Sequence, residues 1–136
     1  MYVQYVIIDL IVVPVSYSKI RTCVICLASQ EGTHLQQLAF AQQIIWAKQY
    51  ALPIVIHCRD AFDEVFKILE AQKGKDLYGI FHCFTGTLKQ AKQAISLNFK
   101  LGIGGVITFK NGKIDRFLRE ISIENIVLET DAPYLA

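Results

Sequence analysis

The sequence has little charge and no long uninterrupted apolar segment. Only 19% of its 136 residues are charged, and 14 basic residues nearly balance 12 acidic ones. This near balance is only weak evidence for a polyanionic partner. The apolar content of 53% excludes a disordered chain. The absence of a run of about 18 apolar residues excludes a membrane-spanning helix. A chain of this length is enough for one domain.

Cysteine is too sparse for a fold held together by disulfides, since the chain has four. Cys23 and Cys26 form a Cys-x-x-Cys pair, but no second pair follows at the spacing of a structural zinc site. Their apolar flanks indicate a buried strand, so we expect reduced thiols without a metal in a cytoplasmic or nuclear protein. The apolar run over residues 6–15 does not fit a signal peptide, because Asp9 and Pro14 interrupt it and no basic residue precedes it.

From residue 31 onward, helical and strand patterns alternate regularly. Apolar residues recur at helical spacing in four segments, which are residues 35–50, 62–71, 88–97 and 114–121. Short apolar runs typical of buried strands lie between and after them, at residues 54–56, 79–84, 100–105 and 125–129. Strands that alternate with helices predict an α/β fold with a parallel sheet and right-handed crossovers.

Residues that commonly bind metals follow three of the four predicted strands. His57 and His82 end the first and second strands, and Asp131 follows the fourth. Since the carboxyl ends of parallel strands meet at one edge of a sheet, we expect these side chains to share a pocket. Imidazole and carboxylate ligands suit zinc, manganese or iron and leave positions open for water. Because side chains alternate along a strand, Cys58 and Cys83 are expected to pack on the opposite face.

Two further carboxylates and a glycine cluster near these strand ends allow more than one interpretation. Asp60 and Glu129 could each fix a histidine tautomer or orient a bound water. Asp60 could instead be a favourable charge at a helix N-terminus, and we prefer this interpretation for Asp60. Glu129 could instead be a solvated carboxylate. The glycines at residues 102–105 leave open an unrelated α/β module that holds a phosphate, although the Gly-x-Gly-x-x-Gly fingerprint is missing.

Four blocks of the sequence resemble the TatD-type metal-dependent deoxyribonucleases. They occur in the family's order and spacing within residues 31–136: LPIVIHCRDA (52–61), HCFTG (82–86), GIGG with TFKN (102–105 and 108–111), and LETDAPYL (128–135). The resemblance implies a (β/α)8 TIM-type barrel, of which four to five βα units are present. It also implies a divalent metal (Zn, Mn or Mg) and hydrolysis of phosphodiester bonds in DNA. By the same resemblance His57, His82 and Asp131 are metal ligands, and Asp131 is also a catalytic residue.

Two features of that family are missing from the sequence. Members carry a His-x-His pair after their first strand and a metal-bridging Glu in a Gly-Glu-x-Gly-Leu-Asp stretch, whereas His34 here stands alone. Residues 1–30 do not resemble the family, and a complete barrel takes about 250 residues. We therefore expect an N- and C-terminally incomplete member with impaired activity, whose open strand edges favour self-association. The alternative is a non-catalytic half-barrel that binds a metal or a partner.

Overall fold

The computed structural model describes residues 21–24, 33–108 and 114–130. Strands and helices alternate along them in the order β1 (Arg21–Val24), α1 (Thr33–Gln49), β2 (Ile54–His57), α2 (Phe62–Ala71), β3 (Gly79–His82), α3 (Leu88–Ser96), β4 (Phe99–Ile103), α4 (Ile114–Phe117) and β5 (Ile126–Leu128). Short 3-10 helices occupy Gly105–Thr108, Leu118–Glu120 and Ile123–Asn125. None of the helices in these ranges is both long and apolar enough to span a bilayer.

The predicted elements are confirmed, with differences of a few residues at their ends. The helix predicted over residues 114–121 is α-helical only over Ile114–Phe117 and continues as a 3-10 helix over Leu118–Glu120. The strand predicted over residues 79–84 ends at His82, because Cys83 leaves the extended conformation with a φ of +50°. The strand predicted over residues 100–105 ends at Ile103, because a 3-10 helix begins at Gly105. Element ends are where local backbone geometry overrides a pattern of apolar residues.

The five strands form one parallel sheet in the order β1-β2-β3-β4-β5. Every strand therefore pairs with its neighbours along the chain. In a doubly wound sheet the strand order reverses at one point along the chain, whereas in a (β/α)8 barrel each strand lies beside the previous one. The sheet is thus part of a barrel wall, and the predicted fold class is confirmed.

The hydrophobic core lies between the sheet and its helices, with Phe81 of β3 at its centre. Phe81 is 1% exposed. Its ring centroid lies 5.5 Å from that of Phe99 and 5.6 Å from that of Phe66. The rings of Phe62 and Phe84 are each 6.2 Å away. These separations are typical of favourable aromatic pairs, which add about 0.5–1.5 kcal/mol each to the effect of burial. This cluster fixes β3 against α2 and so positions the residue that follows Phe81.

The opposite face of the sheet is more open to solvent. In β2, Ile54 and Ile56 are buried in the core, whereas Val55 and His57 point the other way and are half-buried. In β3, His82 belongs to the same half-buried face as His57, since the two residues are register partners. Alternation along each strand therefore separates a dry, helix-covered face from a face that can hold polar side chains.

Large apolar side chains are exposed in two regions of the described structure, on α1 and around β5. On α1, Leu35 is 70% exposed and Leu38 is 53% exposed. Next to and within β5, Ile123 and Leu128 are 85% and 83% exposed. In a closed barrel, such surfaces are covered by the preceding and following βα units. These two regions are the outer ends of an arc of barrel wall.

A histidine and carboxylate site at the strand ends

His57 and His82 lie side by side at the carboxyl ends of adjacent strands. Each is the last residue of its strand, and the two are register partners in the parallel β2–β3 pair. Their ring centroids are 5.7 Å apart, and the ring planes are tilted by 44°. The backbone hydrogen bonds of the sheet therefore bring two imidazoles together on one face, as the strand pattern predicts.

Glu129 joins this pair from the end of β5. Its Oε2 lies 2.9 Å from Nδ1 of His82. Its Oε1 accepts a hydrogen bond from the backbone N–H of Cys83. The Glu129 side chain is only 15% exposed. The interpretation of Glu129 as a solvated carboxylate is therefore wrong, because both of its oxygens have protein partners.

Cys58 and Cys83 do not lie on the same side, although alternation predicts that they should. Cys58 is buried in the core at 2% exposure, as expected. The sulfur of Cys83 instead lies near the polar site, where ligand atoms of His82, Cys83 and Glu129 fall within 4.8 Å of one another. The prediction for Cys83 is wrong because the strand ends at His82 and the backbone then turns with a positive φ. Strand alternation does not extend past that turn.

Gly102 of β4 makes room for the Glu129 carboxylate, whereas Gly104, just after β4, leaves ordinary contact distances. A Cβ atom on Gly102 would lie 2.5 Å from that carboxylate, and one on Gly104 would lie 3.8 Å from Cγ of Glu129. The backbone N–H of Glu129 also donates to the carbonyl of Ile103, at 3.2 Å. A carboxylate in this place disfavours a second anion, so these glycines do not support the phosphate-binding alternative.

The remaining candidate residues lie elsewhere or outside the described part. Asp60 is exposed and precedes α2, which fits its interpretation as a charge near a helix N-terminus. His34 is exposed near the start of α1. Asp131, Cys26 and the side chain of Cys23 lie outside the described residues. The backbone N–H of Cys83 was missed by sequence reasoning, and no residue pattern signals it.

Comparison with known proteins gives a consistent result. A model of the TatD related DNase family matches residues 26–136. An uncharacterized metal-dependent hydrolase, YabD of Bacillus subtilis, is 41% identical over 102 residues, which cover 74% of this chain and 40% of that protein. A protein of Klebsiella pneumoniae named 3'-5' ssDNA/RNA exonuclease TatD is 34% identical over 102 residues, covering 74% of this chain and 39% of that protein.

Solved structures show the same relationship. The crystal structure of YjjV, a TatD homologue from Escherichia coli, matches with a TM-score of 0.74 and 30% identity, covering 81% of this chain and 43% of that one. A TatD family hydrolase from Entamoeba histolytica has the same fold, with a TM-score of 0.63 and 24% identity, over 74% of this chain and 34% of that one. The chain thus spans about two fifths of the length of the curated relatives it matches. On this evidence, the chain belongs to the TatD-related DNase family.

Proposed function

We propose that this chain carries part of the active site of a divalent-metal-dependent hydrolase that cleaves phosphodiester bonds in DNA. The observation that carries the proposal is the pair of imidazoles, 5.7 Å apart, beside a carboxylate at the strand ends. The carboxyl edge of a barrel wall is where active sites of this fold occur. The names of the relatives, which include metal-dependent hydrolases and a DNA and RNA exonuclease, support this reaction class.

The side chains present fit a divalent cation. His57 and His82 would hold it, and Asp131, two residues beyond Glu129, would add an oxygen ligand. Contact with Glu129 occupies Nδ1 of His82, so a metal bond from this ring would be made by the other nitrogen. Two imidazoles and a carboxylate suit Zn²⁺ or Mn²⁺, and Mg²⁺ is the third candidate. A bound divalent ion would supply an acidic water and polarise a phosphoryl oxygen.

The chain's own residues then have separable roles. His57 and His82 would bind the cation from the carboxyl ends of β2 and β3, and the Asp131 carboxylate would be a further ligand. Asp131 is also the candidate catalytic residue, because a carboxylate beside a polarised water can accept its proton. The sequence has neither a His-x-His pair nor a Gly-Glu-x-Gly-Leu-Asp stretch to complete the ligand set. We therefore propose that this chain alone is at least ~10³-fold slower than a full-length relative, since one stabilising donor is worth about 10²–10³ in rate.

Turnover of a labelled single-stranded oligonucleotide by the purified chain tests this function. We expect cleavage that requires added Mn²⁺, Zn²⁺ or Mg²⁺ and that stops with chelator. Asp131→Asn is expected to lower the rate at least ~10-fold, because even groups beside a metal contribute 10–100-fold. Asp115→Asn is the matched control, since Asp115 is exposed on α4. Cleavage that is unaffected by chelator or by Asp131→Asn would refute the proposal.

A second candidate function is self-association as a partner-binding half-barrel. Exposed Leu128 in β5 and Ile123 just before it, together with exposed Leu35 and Leu38 on α1, favour it. Exposed apolar surface commonly marks an interface. Sedimentation velocity over a wide range of concentrations tests the idea. We expect the mass to rise with concentration, and a monomer at every concentration would contradict self-association.

A further inference from the structure

The two oxygens of Glu129 contact two consecutive residues. Oε2 lies 2.9 Å from Nδ1 of His82, and Oε1 accepts from the backbone N–H of Cys83. A carboxylate accepts hydrogen bonds and donates none, so the first contact needs a proton on Nδ1. In a neutral imidazole the other nitrogen, Nε2, is then unprotonated and able to bind a metal. The double contact also fixes the carboxylate more firmly than a single hydrogen bond does.

The backbone at Cys83 makes this double contact possible. With a φ of +50°, Cys83 is in the left-handed region, which is unfavourable for a residue with a Cβ atom. The conformation directs the Cys83 N–H to the same carboxylate that His82 contacts. The next residue is anchored to β4, because the N–H of Phe84 donates to the carbonyl of Gly102 at 2.9 Å. Backbone strain of this kind is concentrated at functional sites.

Gly102 provides the space in which the carboxylate sits. A Cβ atom there would lie 2.5 Å from Cδ and from both oxygens of Glu129, a distance that forces the side chain to move. Gly104 differs, because an added Cβ there would clash with nothing: its nearest atom is the Glu129 carbonyl oxygen, at 3.4 Å. Gly102 and the Cys83 N–H therefore determine together where the carboxylate lies.

We propose that Glu129 is a positioning residue that holds His82 with its proton on Nδ1, the form in which a metal bond would be made by Nε2, and that the Cys83 backbone and Gly102 hold Glu129 in place. The metal in this statement rests on the function proposed above, but the proton position does not. Glu129 acts through His82, so its effect is visible in the histidine ring before any metal is added.

Long-range ¹H–¹⁵N correlation spectra of the metal-free chain, with ¹⁵N-labelled histidine, measure this proton position. The chain has three histidines, and His34→Gln and His57→Gln variants assign the signals. We expect His82 in the Nδ1–H form, and Glu129→Ala should shift it toward the Nε2–H form. Exposed His34 is the internal control and should not change. His82 in the Nε2–H form, or unchanged by Glu129→Ala, would overturn the proposal.

Gly102→Ala tests the steric part without removing a polar group. We expect it to shift the His82 tautomer in the same direction as Glu129→Ala, whereas Gly104→Ala should leave the spectrum unchanged. Should Gly102→Ala fail to fold, the double variant with Glu129→Ala tests the same contact, because removal of the carboxylate removes the clash and should restore folding. Equal spectra for Gly102→Ala and the parent chain, with both folded, would contradict the role of Gly102.

Titration with Mn²⁺ and Co²⁺ separates this proposal from the function. We expect Glu129→Ala to weaken metal binding 10–100-fold, the usual effect of losing a group that orients a ligand. If the tautomer behaves as expected and no metal binds, only the proposed function fails. A thiolate-to-cobalt charge-transfer band that disappears in Cys83→Ser would overturn the positioning role, because His82, Cys83 and Glu129 would then themselves be ligands.

Discussion

Replacing both His57 and His82 with alanine is expected to lower metal affinity and metal-dependent hydrolysis by about 10²–10⁴-fold. Loss of a group that merely orients a ligand costs 10–100-fold. Loss of two direct ligands should cost at least the product of two such factors, if their effects multiply. The two rings are 5.7 Å apart on one sheet face, and both are half-buried, so their removal leaves little empty space in the core. Isothermal titration with Mn²⁺ and Zn²⁺ and oligonucleotide turnover measure the two effects.

The matched control for this variant is His34→Ala. His34 is exposed near the start of α1 and is the third histidine of the chain. Its metal affinity and its oligonucleotide turnover should equal those of the parent chain. Circular dichroism should show that the double variant remains folded. If it retains the metal affinity of the parent chain, the ion is held by other residues and the assignment of His57 and His82 is wrong.

Replacing Phe81 with alanine is expected to lower the free energy of unfolding by about 3–5 kcal/mol, the usual cost of truncating a buried phenylalanine. Phe81 is 1% exposed and its ring contacts those of Phe62, Phe66, Phe84 and Phe99. Domains are stable by only about 5–15 kcal/mol, so this loss is a large part of the total. Urea unfolding followed by tryptophan fluorescence measures it.

Two variants control for this prediction. Phe81→Leu keeps most of the apolar volume and should cost less than Phe81→Ala, whereas Tyr50→Ala removes an aromatic ring that is 56% exposed and should cost less still. Since His82 follows Phe81 directly, a destabilised β3 should also weaken metal binding. A Phe81→Ala midpoint equal to that of the parent chain would show that the aromatic cluster is not the centre of the core.

Many of the helices and strands could be predicted from the sequence because their apolar residues recur with the period of a helix or a strand. Residues 62–71 alternate apolar and charged positions at helical spacing, and α2 covers Phe62–Ala71 as predicted. The convergence of His57 and His82 could also be predicted, since parallel strands place their carboxyl ends at one edge. Both inferences use only the period of a helix or strand and the direction of neighbouring strands.

The contacts of Glu129 could not be predicted from the sequence because they depend on two non-local facts. One is the left-handed backbone at Cys83, a residue type that gives no sign of a positive φ. The other is the strand register, in which Gly102 pairs with Val127. This register places the carboxylate of Glu129, two residues after Val127, against Gly102. A glycine in a strand signals a close approach by some other group but does not identify it.

The sequential strand order also determines how the site should respond to partial unfolding. Each unit contacts mainly its neighbours, as in a repeat protein, so opening should begin at the ends of the described sheet. Amide hydrogen exchange should therefore be slowest in β3, around Phe81 and His82, and fastest in β1 and β5. Glu129 follows β5, whereas His57 and His82 lie on inner strands. Brief fraying of one strand would release the carboxylate and leave both imidazoles in place, so the proton position of His82 should be lost before the fold is.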